Sequence, residues 1–421
     1  MAGGPRWDRR NLLRTGAAAL GGAGVGWSAA TAVAATAPAP PAASGPTTVV
    51  GPPAGAQTVP ALGRHQTGIA TTPQAHLALV GWDLKPGAGR RDLARMMRLL
   101  SDDAARLGAG RPALADTEPD LALHPARLTV TFGFGPQVLR TLVPAQRRPV
   151  LEELPAFSRD ELEEQWSQTD VVAQICCDDP VTLAHARRML LKDARPFAEV
   201  RWIQHGFRTA RGTVPEGTTS RNLMGQVDGT VNPTEADPDF APLVWTQTSD
   251  TDPFAGGTFL VVRRIRMQLD RWDRVDRAGR EGVIGRRLDT GAPLTGTDEF
   301  DAPDFSATDH LGLPVIDPAS HVARARSSDP TQRFLRRAYN YTEPDPRRST
   351  GEDSGLLFLA YAADLARQFV PVQQRLDELD RLNAWVTTVG SAVYAVPPAA
   401  PAGGYVGQTL LEGADDGVAD S

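Results

Sequence analysis

Cysteine is nearly absent from the sequence: the chain of 421 residues has two cysteines, Cys176 and Cys177, and they are neighbours. A disulfide between adjacent residues is strained, so no structural disulfide is expected. Both cysteines lie in the apolar run VVAQICC, which predicts a buried strand with two small core side chains. A redox or metal role for this pair is the alternative.

Several motifs of common enzyme and metal classes are also missing. There is no HExxH, CxxC pair or Asp-rich calcium loop, so the usual zinc and calcium sites are excluded. The lack of CxxCH excludes covalent attachment of a c-type haem. Without a GxSxG or Walker A motif, a serine hydrolase or a P-loop enzyme is not expected. The net charge of -6, with no basic stripe carrying aromatics, argues against a nucleic-acid partner.

The N-terminus has the order of parts of a twin-arginine export signal. Arg9 and Arg10 precede a weakly hydrophobic Ala/Gly stretch, and TAVAATA offers small-residue cleavage sites. A membrane anchor is the alternative, but the stretch has few large apolar residues. We expect a signal peptide at residues 1–37 and a Pro/Ala-rich, disordered linker at 38–63. The mature protein is then periplasmic, in the cell envelope or extracellular.

The remaining chain alternates between strand and helix patterns. Strand-like runs such as HLALVGWDL and VRWIQHGF alternate with helical patterns, in the order of a ferredoxin-like domain. A weaker second copy contains the strand-like runs GGTFLVVRRIRM and SGLLFLAYAADL, and the run FVPVQQRLDELDRLNAW, which predicts one long helix. The sequence predicts an α+β fold of two ferredoxin-like domains with antiparallel sheets, at 64–218 and 219–405. An acidic tail at 406–421 follows.

Three segments carry candidate chemistry, although each has an ordinary structural explanation. His310 and His321 lie in a long irregular stretch, where ligands are more frequent than in core elements. In GQVDGTVNP, glycines flank Asp228 and allow positive φ, so its carboxylate can face a cavity; a simple Asp-Gly turn is the alternative. In LRRAYNY, strand alternation directs Arg336 and Arg337 to opposite faces.

Taken together, these segments resemble the dye-decolourising peroxidase family, and most closely its exported branch with the deferrochelatase/peroxidase proteins of iron-uptake systems. The runs LTVTFGFGP, NLMGQVDGTVNP, GGTFLVVRRI, SHVARAR, LRRAYNY and GLLFLAY occur in family order and span about residues 65 to 400. The resemblance implies a haem b peroxidase that reduces hydrogen peroxide. It oxidises dyes, phenols or other one-electron donors through a ferryl intermediate. The same motifs argue against the related chlorite dismutases.

The resemblance also assigns roles to individual positions. Asp228 matches the distal acid and Arg336 the distal arginine, while His321 matches the proximal ligand of the haem iron. One non-covalent haem b per chain is implied, held mainly by the C-terminal domain. Further cofactor contacts are expected from Gly229, Thr230, Asn232, Arg263, Arg286 and Phe358.

The sequence departs from the family pattern beside the proposed ligand. His321 is followed by Val-Ala-Arg, Arg326-Ser stands where the family commonly has Asn-Pro, and Ala338 replaces a glycine after the arginine pair. The nearby His310 is the competing ligand, although the motif favours His321. A second hypothesis keeps the same haem site but uses it for haem or iron handling, by releasing iron or oxidising ferrous iron with peroxide. Whether identical chains assemble is left open.

Overall fold

The computed structural model describes residues 54–60, 63–246, 249, 251–348 and 350–412. The predicted signal peptide at 1–37 and most of the predicted linker at 38–63 lie outside these residues. Within the described part of the chain, no helix has the length and apolar character needed to cross a membrane.

The strands are β1 (His76–Leu84), β2 (Thr129–Phe134), β3 (Val171–Cys177), β4 (Ala198–Phe207), β5 (Thr258–Met267), β6 (Leu335–Arg336), β7 (Tyr339–Pro344), β8 (Glu352–Ala362) and β9 (Val386–Val396). The α-helices are α1 (Arg90–Gly108), α2 (Pro136–Leu142), α3 (Pro180–Ala194), α4 (Phe240–Val244), α5 (Leu269–Trp272), α6 (Arg277–Ile284), α7 (His321–Ala325), α8 (Phe369–Leu379) and α9 (Gln408–Leu411). Short 3-10 helices lie at Ala54–Ala56, Pro119–Ala122, Ala145–Arg147, Glu164–Trp166 and Arg381–Ala384.

The N-terminal half forms an antiparallel sheet in the order β2-β3-β1-β4, with α1 and α3 packed on one face. Helix α1 buries Leu93, Met97 and Leu100, which recur at the spacing of one helical face. Helix α3 begins where the Asp179 carboxylate accepts a hydrogen bond from the Thr182 amide, with Pro180 in its first turn. This strand order is that of a ferredoxin-like unit.

The C-terminal half repeats the same arrangement in the order β9-β5-β8-β7, and β6 pairs with β8 just ahead of β7. The two sheets meet at both ends, through Phe134 of β2 beside Ala395 of β9 and Phe207 of β4 beside Asn340 of β7. The two halves therefore close into one antiparallel barrel. The α+β fold of two ferredoxin-like units expected from the sequence is confirmed.

Strand alternation divides the core into an inside and an outside of this barrel. The barrel interior holds Cys176, Leu359 and Tyr361, while Cys177 points the other way, into the core under α1 and α3. Both cysteines are buried and unbonded to each other, and burial raises the pKa of the Cys177 thiol to about 12. Cys177 is thus a core residue, as its apolar run predicts.

The boundaries of the linker and the tail differ from the prediction. The linker end at residues 54–60 is fixed to the N-terminal half, because the Gly55 carbonyl accepts from the Ala126 amide at 2.9 Å. The predicted tail begins too early, because α9 buries Leu410 and Leu411 completely and they belong to the hydrophobic core. Of the predicted tail, residues 413–421 lie outside the described residues.

Candidate haem and peroxide site

The loop around Asp228 follows β4 and is held by its own hydrogen bonds. The Asn222 carboxamide oxygen accepts from the amides of Met224 and Gln226, and the Asp228 amide donates to the Ser220 carbonyl at 2.8 Å. Gly225 and Gly229 have φ of 82° and 140°, values that glycine adopts without strain. The turn needs the two glycines, as the sequence pattern indicates, and it fixes the direction of the Asp228 carboxylate.

Arg336 is positioned by Asn232, which the resemblance places among the cofactor contacts. The Asn232 carboxamide donates to the Arg336 carbonyl at 2.9 Å and accepts from the Arg336 amide at 2.7 Å. Arg337, one position on, points into the barrel and donates to the Thr71 carbonyl and the Gln74 side chain. The two arginines face opposite ways, as strand alternation predicts.

Asp228 and Arg336 form a direct ion pair. The Arg336 Nη1 donates to Asp228 Oδ1 at 3.0 Å, and both side chains are only partly exposed. The Asn222 Nδ2 lies 3.4 Å from the other carboxylate oxygen. Burial lowers the pKa of nearby Arg208, and the Asp228 charge is among those that oppose this shift. The Asp228 charge therefore acts on Arg208 as well as on its ion-pair partner Arg336.

His321 is the first residue of α7. A hydrogen bond from its Nδ1 to the Asp380 carboxylate fixes the imidazole. His321 Nδ1 donates to Asp380 Oδ2 at 2.6 Å, and the Asp380 side chain is only 3% exposed. The other Asp380 oxygen accepts from the Leu382 amide at 2.9 Å. This arrangement sets the tautomer, because a proton held on Nδ1 leaves the Nε2 lone pair free.

The pKa of His321 connects this imidazole with the opposite pair. Burial is the largest influence and lowers the pKa, but the charge and hydrogen bond of Asp380 outweigh it, so the pKa is raised. The charges of Asp228 and Arg336 also act on it, which places all three side chains in one region. The His321 side chain is 35% exposed, so part of the imidazole is open to a bound molecule.

The remaining predicted contacts are distributed around these three residues. Thr230 donates to the Glu299 carboxylate at 2.9 Å, and Arg286 donates to the Glu299 carbonyl at 2.8 Å, so both belong to one network beside Asp228. Phe358 lies on β8 two residues before Ala360, the register partner of Arg336. It packs edge-on against Phe334 and forms part of the apolar surface there.

Arg263 stands apart from this arrangement. Its guanidinium binds both oxygens of Asp160, at 2.9 and 2.5 Å, and its side chain is 2% exposed. Among the described residues, it makes no hydrogen bond to Asp228, Arg336 or His321. The structure therefore places it in a buried ion pair between the two halves of the chain, and its predicted contact with a cofactor stays a prediction.

The donor set suits a haem with one protein ligand. His321 Nε2 has no hydrogen-bond partner among the described residues, and no group of three or more His, Cys, Asp or Glu side chains there could hold a bare metal ion. A metal bound by this imidazole would take its other ligands from a group such as a porphyrin. Burial lowers the pKa of Arg286. Its guanidinium donates to the carbonyls of Gly291 and Glu299 and forms no ion pair with a carboxylate among the described residues. It therefore suits a haem propionate.

Sequence reasoning missed Asp380. It lies 59 residues from His321 along the chain, inside a run predicted as one long helix, FVPVQQRLDELDRLNAW. The structure ends α8 at Leu379 and starts a 3-10 helix at Arg381, with Asp380 accepting from the Leu382 amide at the junction. A polar residue at a helix junction was the available signal, and the pattern gave no reason to associate it with the imidazole.

Comparison with known proteins shows the family of the chain. The family model described as "Dyp-type peroxidase, N-terminal" matches residues 66–208, and "Dyp-type peroxidase, C-terminal" matches residues 219–401. The chain is 39% identical to the dye-decolorizing peroxidase of Thermobifida fusca, covering 96% of this chain and 97% of that one. It is 32% identical to a deferrochelatase of Yersinia pestis, covering 85% of each.

Solved structures give the same result. A DyP-type peroxidase from Cellulomonas bogoriensis is 51% identical, with a TM-score of 0.81 over 86% of this chain and 99% of that one. An oxyferrous complex of DtpA from Streptomyces lividans is 40% identical, with a TM-score of 0.81 over 86% of this chain and 100% of that one. On its sequence, its fold and the two family models that together span most of its length, the chain belongs to the Dyp-type peroxidase family.

Proposed function

We propose that this protein is a haem b peroxidase in which His321 binds the iron and Asp228 with Arg336 act on hydrogen peroxide. The observation that carries the proposal is the Asp228–Arg336 ion pair, at 3.0 Å, in the same region as an imidazole fixed by a buried carboxylate. Each chain would hold one haem without covalent attachment. The oxyferrous relative supports iron at this site.

When bound, haem supplies the iron at which the O–O bond of peroxide is reduced. The Asp228 carboxylate takes a proton from one peroxide oxygen and returns it to the other, which leaves as water. Arg336 stabilises the negative charge that develops as the bond breaks, because its guanidinium stays cationic throughout. Overall, one peroxide and two protons become two waters. Two donor molecules, such as dyes or phenols, each supply one electron.

The Asp380 carboxylate makes His321 a stronger electron donor toward the metal. A ligating histidine that gives its second N–H to a carboxylate gains basicity and a fixed ring orientation. Arg286 would meet an acidic group of the cofactor. Asn232, Gly229 and Thr230 would shape the loop that carries Asp228, and Phe358 would contribute apolar surface.

A spectrum of the purified protein tests the proposal. His321→Ala should lose the Soret band or bind haem at least tenfold more weakly, whereas His310→Ala, in the exposed neighbouring loop, should bind it normally. Asp228→Asn should keep the haem spectrum and slow its change on mixing with peroxide. A normal spectrum and normal peroxide reaction in His321→Ala would contradict the ligand assignment.

The similarity to a deferrochelatase, at 32% identity, favours one second function. The same site would then release iron from haem, or oxidise ferrous iron with peroxide for an uptake system. Incubation of the protein with haem, and separately with ferrous iron, with and without peroxide, distinguishes iron handling from peroxidase activity. Iron appearing in a chelator, or ferric iron formed in preference to dye oxidation, would favour this role.

Export by the twin-arginine route is also part of the proposal, supported by the pattern around Arg9 and Arg10. Replacing both arginines by lysine should retain the protein inside the cell. Secretion of the Lys-Lys variant at the normal level would contradict it.

A further inference from the structure

Arg208 lies where the two halves of the barrel meet. It follows β4 directly, and Phe207 at the end of β4 pairs with Asn340 of β7. The Arg208 amide donates to the Ala75 carbonyl at 2.8 Å, which fixes its backbone to the sheet. Its side chain is half-buried. The proposed function gives this arginine no part in binding haem or in acting on peroxide.

The Arg208 guanidinium joins two segments, one that carries Asp228 and one that carries Arg336. Its Nη2 donates to the Ser220 hydroxyl at 2.8 Å, and its Nη1 donates to the Ala338 carbonyl at 3.2 Å. The Ser220 carbonyl in turn accepts from the Asp228 amide at 2.8 Å. Ala338 lies two residues after Arg336, in the link between β6 and β7. One side chain therefore connects the start of the Asp228 loop with the backbone beside Arg336.

The charge of Arg208 has no direct counter-ion. Both of its acceptors are neutral, and in the part of the chain that the structure describes no carboxylate forms an ion pair with it. Burial lowers the pKa of Arg208, and the charge of Asp228 opposes this shift, while a guanidinium stays cationic at any working pH. A charge withdrawn from water without a paired counter-ion costs stability. A part in the site therefore explains this arginine better than a part in stabilising the fold.

We propose that Arg208 is a positioning residue for the peroxide reaction, which holds the Asp228 loop against the strand that carries Arg336. This role rests on the proposed function and adds a residue to it. The Asp228–Arg336 contact joins side chains 108 positions apart, so its geometry depends on how the two segments are held. Asn232 holds the end of the loop through the Arg336 backbone, and Arg208 holds its start through Ser220.

Hydrogen–deuterium exchange of the segment 220–228, measured by mass spectrometry on the purified protein without peroxide, tests the contact. Arg208→Gln should raise the exchange rate about fivefold or more, because the start of the loop loses its anchor and opens more often. Arg211→Gln removes the same charge from an exposed side chain three residues on and should leave the exchange unchanged. If Arg208→Gln does not fold, Ser220→Ala removes the same contact from the other side and should also speed exchange. Exchange within twofold of wild type in the folded variant, or an equal increase in Arg211→Gln, overturns the proposal.

The rate of the peroxide step, measured by stopped-flow mixing, tests the consequence for the reaction. Arg208→Gln should lower the second-order rate constant about 10–100-fold, because a displacement of about 1 Å in a reacting group has an effect of this size. Arg208→Lys keeps the charge and one donor group, and should react at least threefold faster than Arg208→Gln. Equal rate constants for the lysine and glutamine variants would overturn the proposal.

A double substitution distinguishes positioning of Asp228 from a general structural role. If Arg208 acts through Asp228, Arg208→Gln should cost less than about threefold in an Asp228→Asn background, because the two effects are then not additive. A structural defect would add its full loss in that background, and this result would overturn the proposal. Haem content and the Soret band should equal those of wild type in the single Arg208 variants.

Failure of the proposed function would look different. If wild-type protein bound no haem, or did not react with peroxide, the peroxidase assignment would fall, while the exchange measurement would still decide whether Arg208 holds the loop. If wild-type protein reacted with peroxide and Arg208→Gln reacted equally fast, the peroxidase assignment would stand and the role of Arg208 would fall.

Discussion

Replacing Asp380 by Asn should weaken the binding of haem without removing its ligand. The carboxylate is 3% exposed and accepts two hydrogen bonds, from His321 Nδ1 at 2.6 Å and from the Leu382 amide at 2.9 Å. Asparagine keeps one acceptor oxygen but loses the charge. A charge-assisted hydrogen bond contributes about 1.5–3 kcal/mol and a neutral one about 1 kcal/mol, so the loss is about 0.5–2 kcal/mol.

The known effect of such carboxylates on metal affinity leads to a similar free energy. Removing a carboxylate behind a metal-bound histidine costs about 10–100-fold in metal affinity, which is about 1.4–2.7 kcal/mol at 1.36 kcal/mol per tenfold. We expect Asp380→Asn to bind haem about 10–30-fold more weakly, from the overlap of these two ranges. The midpoint potential of the iron should rise, because a less basic imidazole stabilises the ferric form less.

The assay is titration of haem-free protein with haem, followed at the Soret band, together with a potentiometric titration. Asp317→Asn is the matched control, because Asp317 lies in the same neighbourhood and binds Arg381 at 2.5 Å without contacting His321. Haem affinity within twofold of wild type in Asp380→Asn, or an equal loss in Asp317→Asn, would refute the reasoning. Urea unfolding of both haem-free variants checks that they fold.

Three further results are expected. Asp228→Asn should slow the peroxide reaction about 10²–10⁴-fold, the usual contribution of a general acid–base group, and leave the haem spectrum unchanged. Stopped-flow mixing with peroxide measures the rate. A loss of rate below threefold would show that Asp228 is not the proton shuttle. Asp160→Asn should destabilise the fold by about 3–5 kcal/mol, because it leaves Arg263 buried without its counter-ion; a shift below 1 kcal/mol in urea would contradict this. Burial and the neighbouring Asp103 raise the pKa of Asp193 to about 7. The folded state therefore keeps a proton that the unfolded state loses near pH 4. The free energy of unfolding should fall as the pH rises between these two values. The effect is about 1 kcal/mol because the group is partly exposed, and Asp193→Asn should flatten the profile measured by urea unfolding at pH 5 and 8; an identical slope in the variant would rule it out.

Local patterns predicted most of the fold and part of the site. The strands of both halves follow from apolar runs such as VVAQICC, whose seven residues are all buried. The opposite directions of Arg336 and Arg337 follow from the geometry of a strand. The positive φ of Gly225 and Gly229 follows from a glycine-flanked turn. Each of these properties is decided within a few residues.

Contacts between distant segments could not be predicted in this way. The Arg263–Asp160 pair joins residues 103 positions apart, and nothing near either residue indicates the other. Asp380 is similar, because its role depends on α8 ending at Leu379 and on α7 packing against α8. Periodicity predicted a continuous helix there, since the residues on both sides of Asp380 fit the helical spacing.

Closure of the barrel has a consequence for any attempt to divide this protein. Each half joins the other through its two outer strands, β2 with β9 and β4 with β7, so these four strands are paired on both sides. A cut in the exposed loop near residue 215 would leave two open strands on each fragment. Such strands pair readily with those of other chains. Fragments expressed separately should therefore aggregate unless they are produced together, when each supplies the strands that the other lacks.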